Sequence, residues 1–553
     1  MASEVAIEQI QTGPAGDYPP DARIFSGIAA LRLSIVAVIV LTAVGGLLRF
    51  YATSFGLPDK FRPDEEYMIS RALGFEHDWN PHFALYPAAQ MYVEHEALWV
   101  YGVLKGYRHN NFRDAYASDF QALAYLVARR LSAAMGTATI PVVYLAGAAG
   151  FGTGAGVGAA AIMTFTTLDV RDSKYATADA ATVLWLSMAL WLMLRMVRRG
   201  WPRDYLLAGA ATGLAIASKY PAGAIVFGLT VAHLEARRRE GKSLWKALFD
   251  ARIYLVGAAT AVVFFCFTPY LFLDWAQTVR DYQYQRGFIL NGVNNPQASY
   301  GWGWLWLRAM PESFGLALQV LLAVAMLWAL VRPRPGTLSL LVFLAVAFWG
   351  EASSHYVFYR YLLIPLPAMA LLGGLLVSDL RAWLATLLGS RTAAACAAIG
   401  LALVLLPDVV RDIQLDHLLA QPDTRTLARE WIAAHVPPGS AIAATDVYTP
   451  YGKPQLDWRF HLVPFTTVAM LRAAHVQWVV SDSFPPLAYY SRGPTPLQLA
   501  QLRTQAVLMF DARSLKPGAT PPLFDANDAF YAPLIHITSM SRPGPEMRIW
   551  KLK

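Results

Sequence analysis

Long apolar runs, separated by short polar connections, dominate the chain. Eleven such runs occur, of 12 to 27 residues, and a helix needs about 20 apolar residues to cross a bilayer. They predict a polytopic α-helical membrane protein with about 11 spans. The runs are Ile24–Phe50, Ser132–Ala148, Gly154–Leu168, Ala178–Val197, Tyr205–Ala217, Ala222–Leu234, Ile253–Leu273, Phe314–Val331, Leu338–Trp349, Leu362–Val377 and Ala393–Leu406.

The segment between the first two runs, residues 51–130, is too charged to span continuously and is rich in aromatic residues. Within it, a helical pattern over Pro87–Leu104 is interrupted by Glu94, His95 and Glu96. Successive helical residues point about 100° apart, so these three polar side chains cannot all avoid lipid. The segment is therefore predicted to be a loop outside the membrane that carries surface helices.

Basic residues are concentrated in every second connection between the runs. The four basic connections contain Arg195–Arg203, Arg237–Lys246, Arg332–Arg334 and Arg381–Arg391. Short cytoplasmic loops are enriched in Lys and Arg, so these connections, together with a tail over residues 1–24, are predicted to be cytoplasmic. The alternate connections and the chain beyond the last run are then predicted to be external.

The predicted spans fill residues 25–409, whereas residues 410–553 have a different pattern. Short helical and strand-like stretches alternate there around turns that contain Gly and Pro. The pattern predicts an external, soluble C-terminal α/β domain. Its predicted elements are helices at Thr424–His435 and Pro496–Arg503 and strands at Ser440–Thr445, Val476–Val480, Ala506–Phe510, Leu534–Ser539 and Met547–Leu552, the last two as a hairpin.

Composition supports the membrane class and narrows the partners. Hydrophobic residues make up 56% of the chain and charged residues 15%, against about 25% charged residues in soluble globular domains. The formal net charge of +8 is spread over the connections rather than gathered in one patch, so no nucleic-acid partner is predicted. Cys266 and Cys396 lie inside apolar runs and predict neither a disulfide framework nor a cysteine metal site.

The unusual polar residues of the membrane half fall in the connections that are predicted to be external. Carboxylates and cations on one side suit a nucleophile that must be deprotonated and an anionic donor. A phosphate leaving group departs as a stable anion, so one carboxylate base and a few cations suffice. The candidate catalytic carboxylates are Asp64, Glu65 and Asp179, and the candidate donor-binding residues are Arg171, Lys174, Lys219, Arg286, His355 and Arg360.

Each candidate also has an ordinary structural explanation. Asp64 follows Pro63 and could cap a helix, and Asp179 could cap the helix that follows it. Lys219 and Arg360 could be interfacial anchors whose stems lie along lipid while their charges reach water. Anchoring alone explains poorly why five connections on one side have matched polar content.

Several motifs resemble those of C-type (GT-C) membrane glycosyltransferases. The resemblance covers residues 25–407 and is nearest to the bacterial relatives of the protein O-mannosyltransferases and the lipid A aminoarabinose transferases. A stretch of the tail, Thr424–Ile432, is similar to bacterial members as well. The motifs in the membrane half are Arg62–Tyr67, Asn80–Phe83 with Tyr86-Pro87, Val170–Asp179, Gly213–Ala215 with Ser218–Tyr220, and Arg360–Pro365.

The resemblance implies an inverting glycosyltransferase of the bacterial inner membrane that uses a polyprenyl-phosphate sugar on the periplasmic side. It implies Asp64 as the general base and Asp179 as a residue that orients or assists it. Lys219 and Arg360 would hold the phosphate. No cofactor is assigned, and a role for a divalent metal ion stays open.

The implied acceptor is a glycan, a lipid or a protein. This chain reads Leu85-Tyr86-Pro87-Ala88 where the aminoarabinose enzymes have Glu-Lys ahead of Pro-Pro. It also has room only for residues 274–312 where the eukaryotic mannosyltransferases insert a large domain. Neither of those two acceptor classes therefore follows from the motifs.

Two other functions compete with this one. A secondary transporter of a lipid-linked or anionic solute would carry its charges near the bilayer midplane on broken helices, whereas here they cluster at the ends of spans. An oligosaccharide polymerase or ligase would share the lipid-phosphate donor and the external site, but would transfer a whole glycan.

Overall fold

A computed structural model of the chain describes residues 20–105, 121–291, 301–354, 358–444, 454–483, 496–519, 533–534 and 537–553. Each of the eleven apolar runs lies largely in helical structure, although Gly154–Leu168 and Ile253–Leu273 each extend over two successive helices. Before the first basic connection the helices are α1 (Pro20–Phe50), α2 (Pro63–Gly74), α3 (Ala89–Leu104), α4 (Gln121–Phe151), α5 (Thr153–Phe165), α6 (Thr167–Asp172) and α7 (Asp179–Arg199).

The rest of the bundle follows the same helix-and-connection plan. It comprises α8 (Pro202–Ser218), α9 (Ile225–Arg239), α10 (Leu244–Leu248), α11 (Ala251–Phe267), α12 (Tyr270–Leu273), α13 (Trp275–Asn291), α14 (Trp302–Trp304), α15 (Met310–Val331), α16 (Thr337–Ser353), α17 (Leu366–Leu388) and α18 (Ser390–Leu419). Short 3-10 turns at Tyr220–Ala224 and Tyr359–Leu363 and a π-helical turn at Leu305–Ala309 join them.

Within the described residues, seven helical segments are long and apolar enough to cross a membrane. Two further apolar helices, α5 and α16, are shorter, and α8 and α9 fall below the same measure of length and hydropathy. The chain is thus a multi-pass helical membrane protein. Seven of the eleven predicted spans meet this measure, and the exact number stays a prediction.

Small residues allow the central helices of the bundle to approach closely. Gly158 of α5 faces Gly374 of α17 so closely that a Cβ on Gly158 would lie 3.0 Å from the Gly374 Cα. Such contacts are typical of helix interfaces in membranes, where van der Waals packing takes over from the hydrophobic effect. The buried core between these helices is lined by Ala, Leu and Met.

The basic connections meet one another at one end of the bundle. Arg239 donates to the carbonyl of Val197 over 3.4 Å, and Glu235 accepts the backbone N–H of Gly336 over 3.1 Å. Arg334 pairs with Asp379 over 2.6 Å. Since α7 runs for 21 residues, about 30 Å, its first residue Asp179 lies at the opposite end.

The first long connection is built from α2 and α3, which pack against each other. His95 of α3 contacts the carbonyl of Ala72 at 2.7 Å, and Ile69, Ala72 and Leu98 share a buried cluster. The predicted helix Pro87–Leu104 is present as Ala89–Leu104. It is not among the described helices that are apolar enough to span.

The described residues of the C-terminal region, residues 421–553, form a five-stranded mixed sheet in the order β2-β1-β3-β5-β4. Its first three strands pair in parallel, and β5 pairs antiparallel with both β3 and β4. The helices α19 and α21 contact β4 and β5, and α20 packs against α21. The elements are α19 (Thr424–His435), β1 (Ala441–Ala444), β2 (His461–Pro464), α20 (Val468–Ala473), β3 (Trp478–Asp482), α21 (Pro496–Gln505), β4 (Ala506–Ala512) and β5 (Met547–Leu552).

Two details of this region differ from the predicted pattern. The prediction of a strand at Leu534–Ser539 is wrong for its last three residues, because Ile537–Ser539 forms a 3-10 turn. Residues 535–536 lie outside the described residues. Met547–Leu552 consequently inserts between β3 and β4 instead of forming a hairpin. The strand β2 was not predicted, since its four residues include both His461 and Pro464.

Candidate functional site

Asp64 lies in the first turn of α2, at the end of the bundle opposite the basic connections. Arg62 is the N-cap residue in extended conformation, Pro63 is the first helical residue, and Asp64 is the second. Proline suits this position because its missing N–H has no partner in the first turn. Asp64 therefore does not cap the helix, and its Oδ2 lies 3.2 Å from the guanidinium of Arg360.

Arg360 reaches the site from the 3-10 turn that precedes α17. Its side chain is buried, with the guanidinium 3.9 Å from the centroid of the Phe358 ring. Arg360 brings a cation from the fifth predicted external connection to the carboxylate of the first. Residues almost 300 positions apart in the chain thus share one site.

Asp179 and Lys219 form a second ion pair at the same end of the bundle. Asp179 is the first residue of α7, after the N-cap residue Ala178, and Lys219 directly follows α8. Thr177 donates its hydroxyl to Asp179 over 3.0 Å, and the Lys219 ammonium lies 4.8 Å from the centroid of the Tyr361 ring. Both charged side chains are largely buried.

Tyr86 joins the two ion pairs into one cluster. Its hydroxyl oxygen accepts a hydrogen bond from Arg360, and the charges of Asp64 and Asp179 act on the same hydroxyl group. Burial raises the pKa of the Tyr86 hydroxyl, and both carboxylates raise it further, whereas Arg360 opposes them. We call Asp64, Tyr86, Asp179, Lys219 and Arg360 the polar cluster.

The polar cluster offers a carboxylate that solvent can reach. The side chain of Asp64 is 23% exposed, against 6% for Asp179. An ionised carboxylate can accept a proton from a hydroxyl group, and buried cations beside it can bind phosphate oxygens. The geometry therefore combines the elements of a base and of an anion site.

Glu65, next to Asp64, points away from the polar cluster. Both of its oxygen atoms accept hydrogen bonds of 2.7 Å from Arg129, and Oε1 also accepts the N–H of Ala176 over 2.9 Å. Both side chains are almost completely buried. Glu65 thus ties α2 to α4 and to the start of the Ala176–Asp179 segment.

Arg171 and Lys174 also lie outside the polar cluster. Arg171 pairs with its neighbour Asp172 over 2.8 Å. Lys174 pairs with Asp416 of α18 over 2.6 Å and donates to the carbonyl of Tyr51 over 2.9 Å. Lys174 thus joins α18 to the segment that follows α1, whereas Arg171 pairs within its own helix α6.

The two remaining candidates are not placed in the cluster either. Arg286 is exposed on α13, and within the described part of the chain no hydrogen bond or ion pair joins it to the residues of the polar cluster. His355 lies outside the described residues.

Sequence reasoning missed three residues that the structure places beside the candidates. Tyr86 was noted only as part of a motif, and Arg129 was excluded from a span because of its charge. Glu351, a buried acidic residue near the end of the apolar helix α16, lies within electrostatic reach of Lys219. A lone carboxylate beside an apolar run was the signal that could have found it.

Comparisons with known proteins identify the fold. Residues 122–272 match the family described as dolichyl-phosphate-mannose-protein mannosyltransferase. The structure of AglB from Archaeoglobus fulgidus, solved with an inhibitory peptide and a dolichol-phosphate, superposes with a TM-score of 0.52 at 12% identity. It covers 94% of this chain and 88% of that chain.

A second match is ArnT from Cupriavidus metallidurans in its apo state. Its TM-score is 0.50 at 16% identity, and the match covers 88% of this chain and 96% of that chain. The chain has the GT-C fold of membrane glycosyltransferases. The resemblance that its motifs indicated is thereby confirmed. No curated protein sequence matches the chain.

The GT-C fold gives the polar cluster its setting. The family match spans α4 to α12 and contains Asp179 and Lys219, whereas Asp64, Tyr86 and Arg360 lie outside its limits. The described residues of this GT-C chain contain no group of three or more His, Cys, Asp or Glu side chains that could hold a metal ion. The carboxylates of the cluster instead face Lys219 and Arg360.

Proposed function

We propose that the chain is an inverting glycosyltransferase that moves a sugar from a polyprenyl-phosphate donor to an acceptor hydroxyl, with Asp64 as the general base. One observation carries the proposal: Asp64 is a partly exposed carboxylate held 3.2 Å from a buried guanidinium in a GT-C fold. Its neighbour Glu65 forms a buried ion pair with Arg129 and is not available for proton transfer.

The reaction balances with one base and no general acid. The acceptor oxygen attacks the anomeric carbon from the face opposite the phosphate and forms the new C–O bond. The anomeric C–O bond to phosphate breaks, and its electron pair leaves with the polyprenyl phosphate. The acceptor proton passes to the Asp64 carboxylate, so a single displacement inverts the anomeric configuration.

The cations of the polar cluster are suited to the departing phosphate. Arg360 offers a planar fork for two phosphate oxygens, and Lys219 offers a compact charge. When a phosphate competes for Arg360, Asp64 is released from its ion pair and can accept the acceptor proton. Asp179 then keeps Lys219 in place, and Tyr86 can follow Arg360 as its hydrogen-bond partner.

The fold supports a lipid-linked donor. The archaeal AglB structure with the same fold was solved with a dolichol-phosphate and an inhibitory peptide, and the matching family is described by dolichyl-phosphate-mannose. A polyprenyl chain in the membrane would bring its phosphate to the end of the bundle where the polar cluster lies. We place this end on the external side because the basic connections lie at the other end.

The test is an Asp64→Asn variant assayed with polyprenyl-phosphate sugars. The change keeps the size of the side chain but removes the basic oxygen, so turnover should fall by about a hundredfold or more. Glu66→Gln is the matched control, because Glu66 lies two residues further along the same turn, is acidic and is 53% exposed. The product should have the anomeric configuration opposite to that of the donor, as measured by NMR.

Three outcomes would contradict the proposal. Wild-type turnover by Asp64→Asn would show that Asp64 is not the general base. A product with the anomeric configuration of the donor would exclude a single displacement. Donor uptake into vesicles without any transfer would favour the transporter instead.

A further inference from the structure

The four residues that precede Pro63 form a segment that leads directly into the polar cluster. We call Asp59–Arg62 the strap. Because residues advance by at most about 3.6 Å, Asp59 lies within about 18 Å of Asp64 along the chain. Asp59, Phe61 and Arg62 are buried although the strap has no regular secondary structure.

Asp59 is held by α19 of the C-terminal region. Its Oδ1 lies 2.8 Å from the Arg429 guanidinium, and its Oδ2 accepts the Thr426 hydroxyl over 2.6 Å. The Asp59 side chain is 3% exposed and that of Arg429 is 25% exposed. Burial raises the pKa of Asp59, and the contacts with Thr426 and Arg429 oppose that shift.

The next two residues of the strap are held by the same region. The backbone N–H of Lys60 donates to the Gln455 Oε1 over 3.0 Å, and the Gln455 amide donates back to the Lys60 carbonyl. The guanidinium of Arg425 stacks on the Phe61 ring with its carbon 3.7 Å from the ring centroid. Three successive residues thus contact side chains that lie more than 360 positions further along the chain.

Arg62 connects the strap, which the C-terminal region holds, to the polar cluster. Its guanidinium stacks over Tyr175 at 4.0 Å, lies 3.9 Å from Asp172, and acts electrostatically on Asp179. It is also the N-cap residue of α2, whose second residue is Asp64. The position of the strap therefore fixes where the first turn of α2 begins.

We propose that Asp59, Arg429 and Gln455 are positioning residues, through which the C-terminal region sets the place of Asp64 in the polar cluster. The proposal rests on the proposed function of Asp64 as the base. None of these residues belongs to the polar cluster, so their loss should lower kcat and leave donor binding almost unchanged. A displacement of about 1 Å at a reacting group can lower the rate by about a hundredfold.

The experiment uses the full-length protein in detergent with the variants Gln455→Leu and Arg429→Ala. We expect kcat to fall by about tenfold to a hundredfold while the KM for the donor changes by less than about twofold. Arg429→Lys keeps a charge beside Asp59 and should retain most of the activity. Arg513→Ala is the matched control, because Arg513 is a 68% exposed arginine of the same region that pairs with Asp511.

Hydrogen–deuterium exchange provides a readout that does not depend on activity. The peptide with residues 59–62 should exchange faster in Gln455→Leu, because Gln455 accepts the Lys60 N–H. Unchanged exchange in this peptide would overturn the proposal. Faster exchange with an unchanged kcat would also overturn it, since the contacts would then only pack the two regions together.

The two readouts separate the positioning role from the proposed function. A wild-type protein that transfers no sugar would contradict the proposed function and, with it, any effect of the strap on kcat. The exchange data would still decide whether the C-terminal region holds the strap. Loss of kcat in Arg513→Ala to the same degree would contradict a role specific to Asp59 and Arg429.

Discussion

At the scale of single residues, two neighbouring carboxylates have opposite surroundings. Asp64 and Glu65 point about 100° apart because they are successive residues of a helix. Asp64 therefore meets Arg360, whereas Glu65 meets Arg129. The sequence identified both as candidates, but it could not divide their roles, since their partners lie 296 and 64 positions away.

The first residue-scale prediction concerns Glu65. Glu65→Ala leaves the Arg129 guanidinium buried without its carboxylate, which should lower the free energy of unfolding by about 3–5 kcal/mol. Thermal unfolding of the purified variant in detergent measures this loss. Glu66→Gln, on the exposed face of the same turn, should unfold as the wild type does.

If Glu65→Ala unfolded like the wild type but lost turnover, Glu65 would take part in the chemistry and the ion pair with Arg129 would be incidental.

At the scale of elements, the apolar runs predicted where helices lie better than where they end. α4 begins at Gln121, eleven positions before the predicted run, because Arg129 is neutralised by Glu65 and so continues the helix. α18 continues through Pro407 to Leu419 for a similar reason. Its buried Asp416 pairs with Lys174. A charged residue ends the span in a prediction from sequence because its ion-pair partner is not known. In the folded chain the partner neutralises the charge, and the helix continues.

The helix predicted at Pro87–Leu104 is present, but the reason given for keeping it out of the membrane was incomplete. Glu94 and His95 are buried in protein, the former with Gln90 at 3.0 Å and the latter against Ala72. Only Glu96 is exposed. Periodicity could place the helix, but it could not reveal that α2 covers two of its three polar residues.

His82 joins the loop between α2 and α3 to the segment before α13, and it does so with both ring nitrogens protonated. His82 Nε2 lies 2.8 Å from Asp78, and its Nδ1 lies 3.3 Å from Asp274, which precedes α13. Two carboxylates can accept from both ring nitrogens only when the imidazole is protonated. The hydrogen bond to Asp78 is the main cause that raises the pKa of His82, and Asp274 adds to it.

We predict a pH-dependent contact between this loop and α13. A raised pKa in the folded protein means that the contact is fully formed below the ordinary histidine value of about 6.5 and is lost as pH rises through the higher folded value. An NMR titration of histidine-labelled protein, with His82→Gln to assign the signal, measures that pKa. A value at or below 6.5 would contradict the two ion pairs.

At the scale of the whole molecule, the contacts between the strap and the C-terminal region lay beyond sequence reasoning. The local pattern predicted α19 at its observed bounds and four of the strand positions approximately. Nothing in that pattern relates Asp59 to Thr426, because the two residues are 367 positions apart. Local periodicity specifies elements, whereas their association depends on surfaces that only the folded chain brings together.

The two ends of the bundle carry different chemistry. The basic connections contact one another at one end, and the polar cluster lies at the other, one length of α7 away. The strap and the contacts of α19 join the C-terminal region to the second end. A single orientation in the membrane therefore decides the compartment of the base, the cations and the C-terminal region together.

The last prediction is that orientation. If the basic connections are cytoplasmic, cysteines introduced by Gln283→Cys in α13 and Ala434→Cys in α19 should react with an impermeant maleimide on intact cells, whereas Ser243→Cys should react only after permeabilisation. Cys266 and Cys396 are exposed on apolar helices and must first be replaced by alanine. Labelling at Ser243→Cys alone would invert the topology and move the proposed site to the cytoplasm.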